Sequence, residues 1–206
     1  MSDPPHAQTL LELRAAQAGD RAAVERLFTR YRDRLLQAVS LLLARRRRDL
    51  LMDEEDIVQE SLLDAFQALE GFEPRSEGAF LHWLIRIAEN NLNDLLRRQR
   101  TRKRGGDRER PRADLSGSFL LSSVFPGREH TPSQVAGARE LIERIEDAVI
   151  DLPERERRVF VMRRLCHLTF EEIAGELDLA GAASARALYS RVLTHLSERL
   201  PDLTGG

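Results

Sequence analysis

The stretch from Ala185 to Leu200 is helix-spaced. At about 100° per residue, Ala185, Leu188, Tyr189, Val192, Leu193, Leu196 and Leu200 fall on one side, and Arg186, Ala187, Ser190, Arg191 and Thr194 on the other. Two arginines bracketing a hydroxyl, beside an alanine small enough for close backbone approach, can enter a major groove and meet phosphates and base edges. A solvated face carries the same pattern, because periodicity says only which side points outward. A second stretch, Phe80 to Arg100, puts Phe80, Leu81, Leu84, Ile87, Ala88, Leu92 and Leu95 in an apolar stripe opposite His82, Arg86, Glu89, Asn90, Asn93, Arg97 and Arg100. Asparagine is a poor helix-interior residue, so Asn90, Asn91 and Asn93 together with Asp94 weaken this helix in a way that a solvated face does not require. That points to a polar recognition surface. Trp83 lies at the edge of the stripe, one heptad before Asn90, where its indole either stacks on an unpaired base or packs half-buried on the core. For a lone tryptophan, periodicity favours packing. From Leu95 to Arg112, nine of eighteen residues are Arg or Lys against two acids, which reads as a phosphate-binding collar, a solvated basic linker, or both.

Little in the chain suggests covalent chemistry. There is no Gly-rich phosphate loop, no His-x-x-x-His pair and no carboxylate pair on an evident cleft, while His82, His167 and His195 stand singly on helical segments. The chain is therefore not expected to be an enzyme or to take a small-molecule substrate. The single cysteine, Cys166, cannot close an internal disulfide, and Cys166-His167 lacks zinc-ligand spacing, so neither metal nor cofactor is expected and a reducing cytoplasmic compartment fits. Met1 to Gln8 carries Asp3 and two prolines in place of a basic-then-apolar signal, and no apolar run approaches a membrane span; the expectation is an untargeted chain that does not insert into membranes. Globally, 34 acids against 32 bases leave a formal charge of −2, so any basic function is local.

These surfaces need helices to hold them. The 206 residues, 42% hydrophobic, suffice for one average domain or two small ones. Helical spacing runs through Leu10, Leu13 and Ala16, then from Val24 to Val39, broken at Gly19-Asp20; it resumes from Ile57 to Leu69 after the opposed charges Arg45 to Arg48 and Asp53 to Asp56, and stops at Gly71 and Pro74. No period-2 alternation occurs. Residues 101–136 change character to basic, Ser/Gly/Pro-rich sequence, a flexible linker in which Phe119-Leu120-Leu121 and Val124-Phe125 do not suit a pure spacer. Beyond it, one helix ends at Asp151-Leu152-Pro153, and another carries Val159, Phe160, Met162 and Leu165. Thr169-Phe170-Glu171-Glu172 then reads as a capping box opening a short helix. Short helix, small-residue turn from Asp178 to Ala183, and longer final helix form a helix-turn-helix layout. The expected fold is all-α: a helical domain at 1–100, the linker at 101–136 and a helix-turn-helix domain at 137–206.

Two motif sets now carry a family resemblance. Asp56-Ile57-Val58-Gln59-Glu60-Ser61-Leu62-Leu63-Asp64-Ala65-Phe66, followed by Trp83-Leu84, Ile87-Ala88, Asn90, Asp94 and Arg97-Arg98, resembles region 2 of bacterial RNA polymerase sigma factors of the extracytoplasmic-function (ECF) group. Leu152-Pro153, Arg157, Val159-Phe160, Leu168-Thr169, Glu172-Ile173-Ala174, Arg191 and Leu196 resemble their region 4. The resemblance implies a dissociable subunit that binds core RNA polymerase, through the clamp of the largest subunit and the flap region, and directs promoter-specific initiation. It implies polymerase docking by Asp56, Gln59, Glu60, Leu63 and Phe66. It further implies minus-ten recognition and melting by Trp83, Arg86, Asn90, Asn93, Arg97 and Arg98, minus-thirty-five recognition by Arg186, Ser190 and Arg191, and room for an anti-sigma factor as a further partner.

Two departures from the family pattern stand out. Asp64 occupies a position where relatives usually carry Arg, and between Ala174 and Arg191 the chain runs one residue longer, with Ala180-Gly181-Ala182-Ala183 in the turn. A helix-turn-helix regulator that binds duplex DNA without serving as a polymerase subunit is the alternative function. A pure interaction adaptor leaves the basic collar and the Asn-rich face without a role.

Overall fold

The computed structural model describes residues 6–43, 53–73, 76, 78–102 and 139–200, and among these all regular structure is helical, with no strand. The chain divides into two compact units, Met1–Leu115 and Ser116–Gly206. The basic stretch past Arg102 and the linker through residue 136 lie outside the described residues.

The first unit contains α1 (His6–Gln17), α2 (Arg21–Leu43), α3 (Glu54–Ala68) and α4 (Ala79–Arg102). Gly19, at φ +92°, turns the chain out of α1, with Gly19 N–H donating to Ala16 O and Asp20 N–H to Ala15 O, both at 3.0 Å; an L side chain would strain this conformation. Asp20 then caps α2, accepting from the N–H groups of Ala22 and Ala23 at 2.9 and 3.1 Å. Every residue of α2 from Arg34 to Leu41 is buried, because α1, α3 and α4 all pack on this central helix. Leu27, Leu35, Ile57, Phe80, Leu81, Leu84 and Leu92 fill the core. Polar ties fix α1: Arg30 donates to Glu12 at 2.7 Å, and Gln17 Nε2 donates to Leu69 O and Phe72 O at 3.0 and 2.8 Å in the turn after α3. The apolar stripe of α4 sits differently from its simple projection. Ile85 is buried while Ile87 and Leu95 are only half-buried, since α4 meets both α2 and α3.

The second unit contains α5 (Arg139–Ile150), α6 (Glu154–Phe160) running into a π-helical turn (Val161–Leu165), α7 (Phe170–Glu176) and α8 (Ala182–Arg199). Arg157, buried, donates to Ile150 O at 2.5 Å and closes the end of α5, which gives this family-motif residue a local structural task. Thr169 and Glu172 form the capping box: Glu172 N–H donates to Thr169 Oγ1 at 3.2 Å and Thr169 N–H to Glu172 Oε2 at 2.7 Å. Helix α8 packs on α6 and α7 through Ala185, Leu188, Tyr189, Val192 and Leu196. Leu193, expected on this side, is instead 42% exposed: it lies about 100° round the helix from Val192, outside the stripe those neighbours cover. His195 Nδ1 lies 2.7 Å from Glu156 Oε2, tying α8 to α6.

Candidate nucleic-acid and protein-docking surfaces

Helix α3 begins at a second capping box. Asp56 N–H donates to Asp53 Oδ1 at 2.8 Å and Asp53 N–H to Asp56 Oδ2 at 3.4 Å, with Glu54, Glu55 and Asp56 placing negative charge at the positive end of the helix. Asp56 is thus exposed and also busy at the cap. Gln59 and Glu60 are exposed, and Leu63 and Phe66 are 59% and 52% exposed, an outlay of apolar area that a solvated helix does not need. Gln59, Leu63 and Phe66 line a groove of about 310 Å³ with Leu62 and with Val24 and Phe28 of α2, while the Arg32–Glu55 ion pair, 3.0 Å, crosses from α2 to α3. Asp56 and Glu60 lie outside the groove lining.

Along α4, Arg86, Asn90, Asn93 and Arg97 are exposed at positions i, i+4, i+7 and i+11, a single outward stripe, with Arg98 exposed beside it. Arg97 pairs with Asp94 at 3.5 Å. Asn91, counted with the helix-weakening asparagines but not on the projected polar face, has its Nδ2 donating to Asp64 Oδ2 of α3 at 2.8 Å and lying 3.4 Å from Ser61 Oγ, so it faces the neighbouring helix. Trp83 is half-buried and stacks on Phe72, centroids 4.6 Å apart, with Phe80 at 5.7 Å. The indole is therefore part of an aromatic group that also contains Tyr31, edge-on to Phe80 at 4.9 Å. One face of the indole is occupied by Phe72.

On α8, Arg186, Ser190 and Arg191 are all exposed. The turn before α8 contains Asp178 at φ +50° and Gly181 at φ +149°. Sequence reasoning missed the cluster beside it. Arg163 and Arg186 both place their guanidinium groups over the Phe170 ring, at 4.8 and 5.2 Å, and Arg164 lies over Tyr189 at 5.6 Å. Phe170 and Tyr189 are themselves 5.8 Å apart. Arg163 also donates to Leu168 O at 2.8 Å, which secures the turn into α7. Burial pushes the Tyr189 hydroxyl above its ordinary range, opposed by the positive charges of Arg164 and Arg163, and keeps it neutral. The sequence signal was the adjacent arginines next to the capping box, hidden among residues that register mainly as an apolar stripe.

Among the described residues, no group of His, Cys, Asp and Glu could hold a metal ion, and no helix is long and apolar enough to cross a membrane.

The sequence model of the family described as ECF sigma factor matches residues 9–198. Proteins named ECF RNA polymerase sigma-E factor are similar along nearly the full length: 30% identity over 193 residues in Salmonella typhimurium strain LT2, covering 93% of each chain, and 29% over 193 residues in Escherichia coli K12, also 93% of each. The Haemophilus influenzae protein of the same name is 30% identical over 189 residues, covering 89% of this chain and 90% of its own. Among solved structures, CnrH in complex with the cytosolic domain of CnrY aligns with a TM-score of 0.56 at 21% identity, covering 96% of this chain and 99% of that one, a likeness of fold.

Proposed function

The chain belongs to the ECF sigma factors, RNA polymerase subunits that direct promoter-specific transcription initiation, and from that premise we propose how its surfaces divide the work. The groove between α2 and α3 receives the clamp of the polymerase's largest subunit, with Leu63 and Phe66 as apolar anchors and Gln59, Glu60 and Asp56 as the polar rim. The observation that carries this reading is the pairing of two large exposed apolar side chains with an open groove on the helix that holds the family motif. The α4 stripe of Arg86, Asn90, Asn93, Arg97 and Arg98 meets the minus-ten element as it opens. Amides suit base edges there and guanidinium groups suit phosphates. Trp83 acts chiefly by fixing that helix, its ring being engaged with Phe72.

Helix α8 lies in the major groove of the minus-thirty-five element with Arg186, Ser190 and Arg191, and the Arg163–Phe170–Arg186 stack holds cationic edges toward the backbone. Region 4 contacts to the polymerase flap, work in the cytoplasm, and absence of catalysis by the chain complete the assignment. The solved neighbour is bound to a partner's cytosolic domain. An anti-sigma factor covering the α2–α3 groove fits the same surface here.

A photocrosslinker at Asn93 should label the minus-ten region in the polymerase holoenzyme, and one at Ala187 the minus-thirty-five region. Labelling of one region from both positions would overturn the division.

A further inference from the structure

Asn91 stands one residue from Asn90 and two from Asn93, yet its amide is turned into the contact with α3. There its Nδ2 reaches the Asp64 carboxylate at 2.8 Å and the Ser61 hydroxyl oxygen at 3.4 Å. Ser61 is fully buried and donates its own proton to Ile57 O at 2.6 Å, which leaves its oxygen able to accept from Asn91. One amide is thus bracketed by two side chains a helical turn apart on α3. Apolar residues of both helices, among them Ile57, Val58 and Ala65 of α3 and Leu84, Ala88 and Leu92 of α4, are buried, and apolar burial is non-directional. A directional bond from a carboxylate to an amide sets rotation.

We infer that Asp64 and Asn91 are positioning residues that fix the roll of the promoter-facing helix α4 on the polymerase-facing helix α3. The inference rests on the reading that the outward stripe of α4 meets promoter DNA. At a side-chain radius of about 5–6 Å, a roll of about 20° displaces the Asn90 amide by about 2 Å, more than a built binding constellation tolerates. It also gives a role to Asp64, an acceptor on α3 whose donor is supplied by α4. Neither residue touches DNA in this scheme.

The test compares Asp64→Ala, Asn91→Ala, the exchanged pair Asp64→Asn/Asn91→Asp, and Asn90→Ala, each assembled with core polymerase at saturating concentration. Opening is read by permanganate reactivity of unpaired thymines on a duplex promoter and on one already melted over the minus-ten element. The two latch variants should open the duplex about 5- to 10-fold more slowly, with core affinity within about twofold of wild type and near-normal behaviour on the melted template. The exchanged pair, which restores donor and acceptor in reverse, should return to within about twofold. A merely structural defect would reduce active protein equally on both templates, and that result overturns the inference. So does failure of the exchanged pair to recover, which would mean that the Asp64 charge acts on a partner directly. Wild-type opening in both latch variants beside slow opening in Asn90→Ala removes the latch alone. Wild-type opening in Asn90→Ala removes the underlying reading of α4, and the inference with it.

Discussion

Replacing Phe66 by Ala should weaken the complex with core RNA polymerase by about 10- to 30-fold while leaving the fold intact. The ring is 52% exposed, so about 100 Å² of an aromatic side chain that offers about 200 Å² remains to be buried by a partner. At about 25 cal/mol per Å² that area amounts to about 2.5 kcal/mol. Ordering the side chain in the complex costs about 0.5–1 kcal/mol, leaving about 1.5–2 kcal/mol, which is the stated range in Kd. The folded chain also loses the buried half of the ring, about 2.5 kcal/mol by the same measure and partly offset by the better helix propensity of alanine, so affinity is compared at a temperature where every variant is folded. Leu63, 59% exposed on the same groove, should add a further loss of similar kind. Competition of the variants against labelled wild-type chain for core polymerase measures the effect, with thermal unfolding as the check on the fold. Wild-type affinity in the Leu63→Ala/Phe66→Ala double variant, measured where thermal unfolding shows it folded, would refute the docking role of the groove.

Three other outcomes follow from the same physical reasoning. Gln37 is 1% exposed and neither polar atom of its amide has a hydrogen-bond partner, so Gln37→Met should raise the urea midpoint, removing an unsatisfied amide worth about 1–3 kcal/mol; a lowered midpoint would contradict it. Gly181→Ala should destabilise the second unit by about 1–3 kcal/mol through its φ of +149° alone, since nothing lies within 4 Å of the added methyl, whereas Gly175→Ala on α7, equally unobstructed, should stabilise by about 0.5–1 kcal/mol; hydrogen exchange across α7 and α8 reads both, and equal effects would contradict the strain argument. Arg191→Ala should weaken all duplexes alike and lower the salt slope by about 1, as for a phosphate contact, when affinity is titrated at several salt concentrations; loss of preference at one upstream base pair would make it a base reader instead.

What the sequence made legible was local or periodic. The capping box at Thr169 and Glu172 closes within four residues, and the stop at Gly19-Asp20 rests on backbone conformation and a cap that neighbouring residues supply. The groove-lining Gln59, Leu63 and Phe66 were named through the family motif, yet nothing in α3 itself reveals that Val24 and Phe28 form the opposite wall. Partners from other elements decided the remaining differences. Asn91 counts among the helix-weakening asparagines until Asp64 is seen across from it, and the packing that periodicity favours for Trp83 has its partner, Phe72, in a segment without periodicity. Leu193 fits a helical projection but not the width of the surface that α6 and α7 present to α8.

The most direct test is transcription by core polymerase with and without the purified chain on a library of promoter-bearing fragments, with start sites mapped by sequencing. Discrete new start sites preceded by shared minus-ten and minus-thirty-five sequences are the expected result, lost with the Leu63→Ala/Phe66→Ala variant. Tight binding of the chain alone to duplex DNA, with the start sites of core polymerase unchanged, would contradict the assignment and leave a helix-turn-helix regulator in its place.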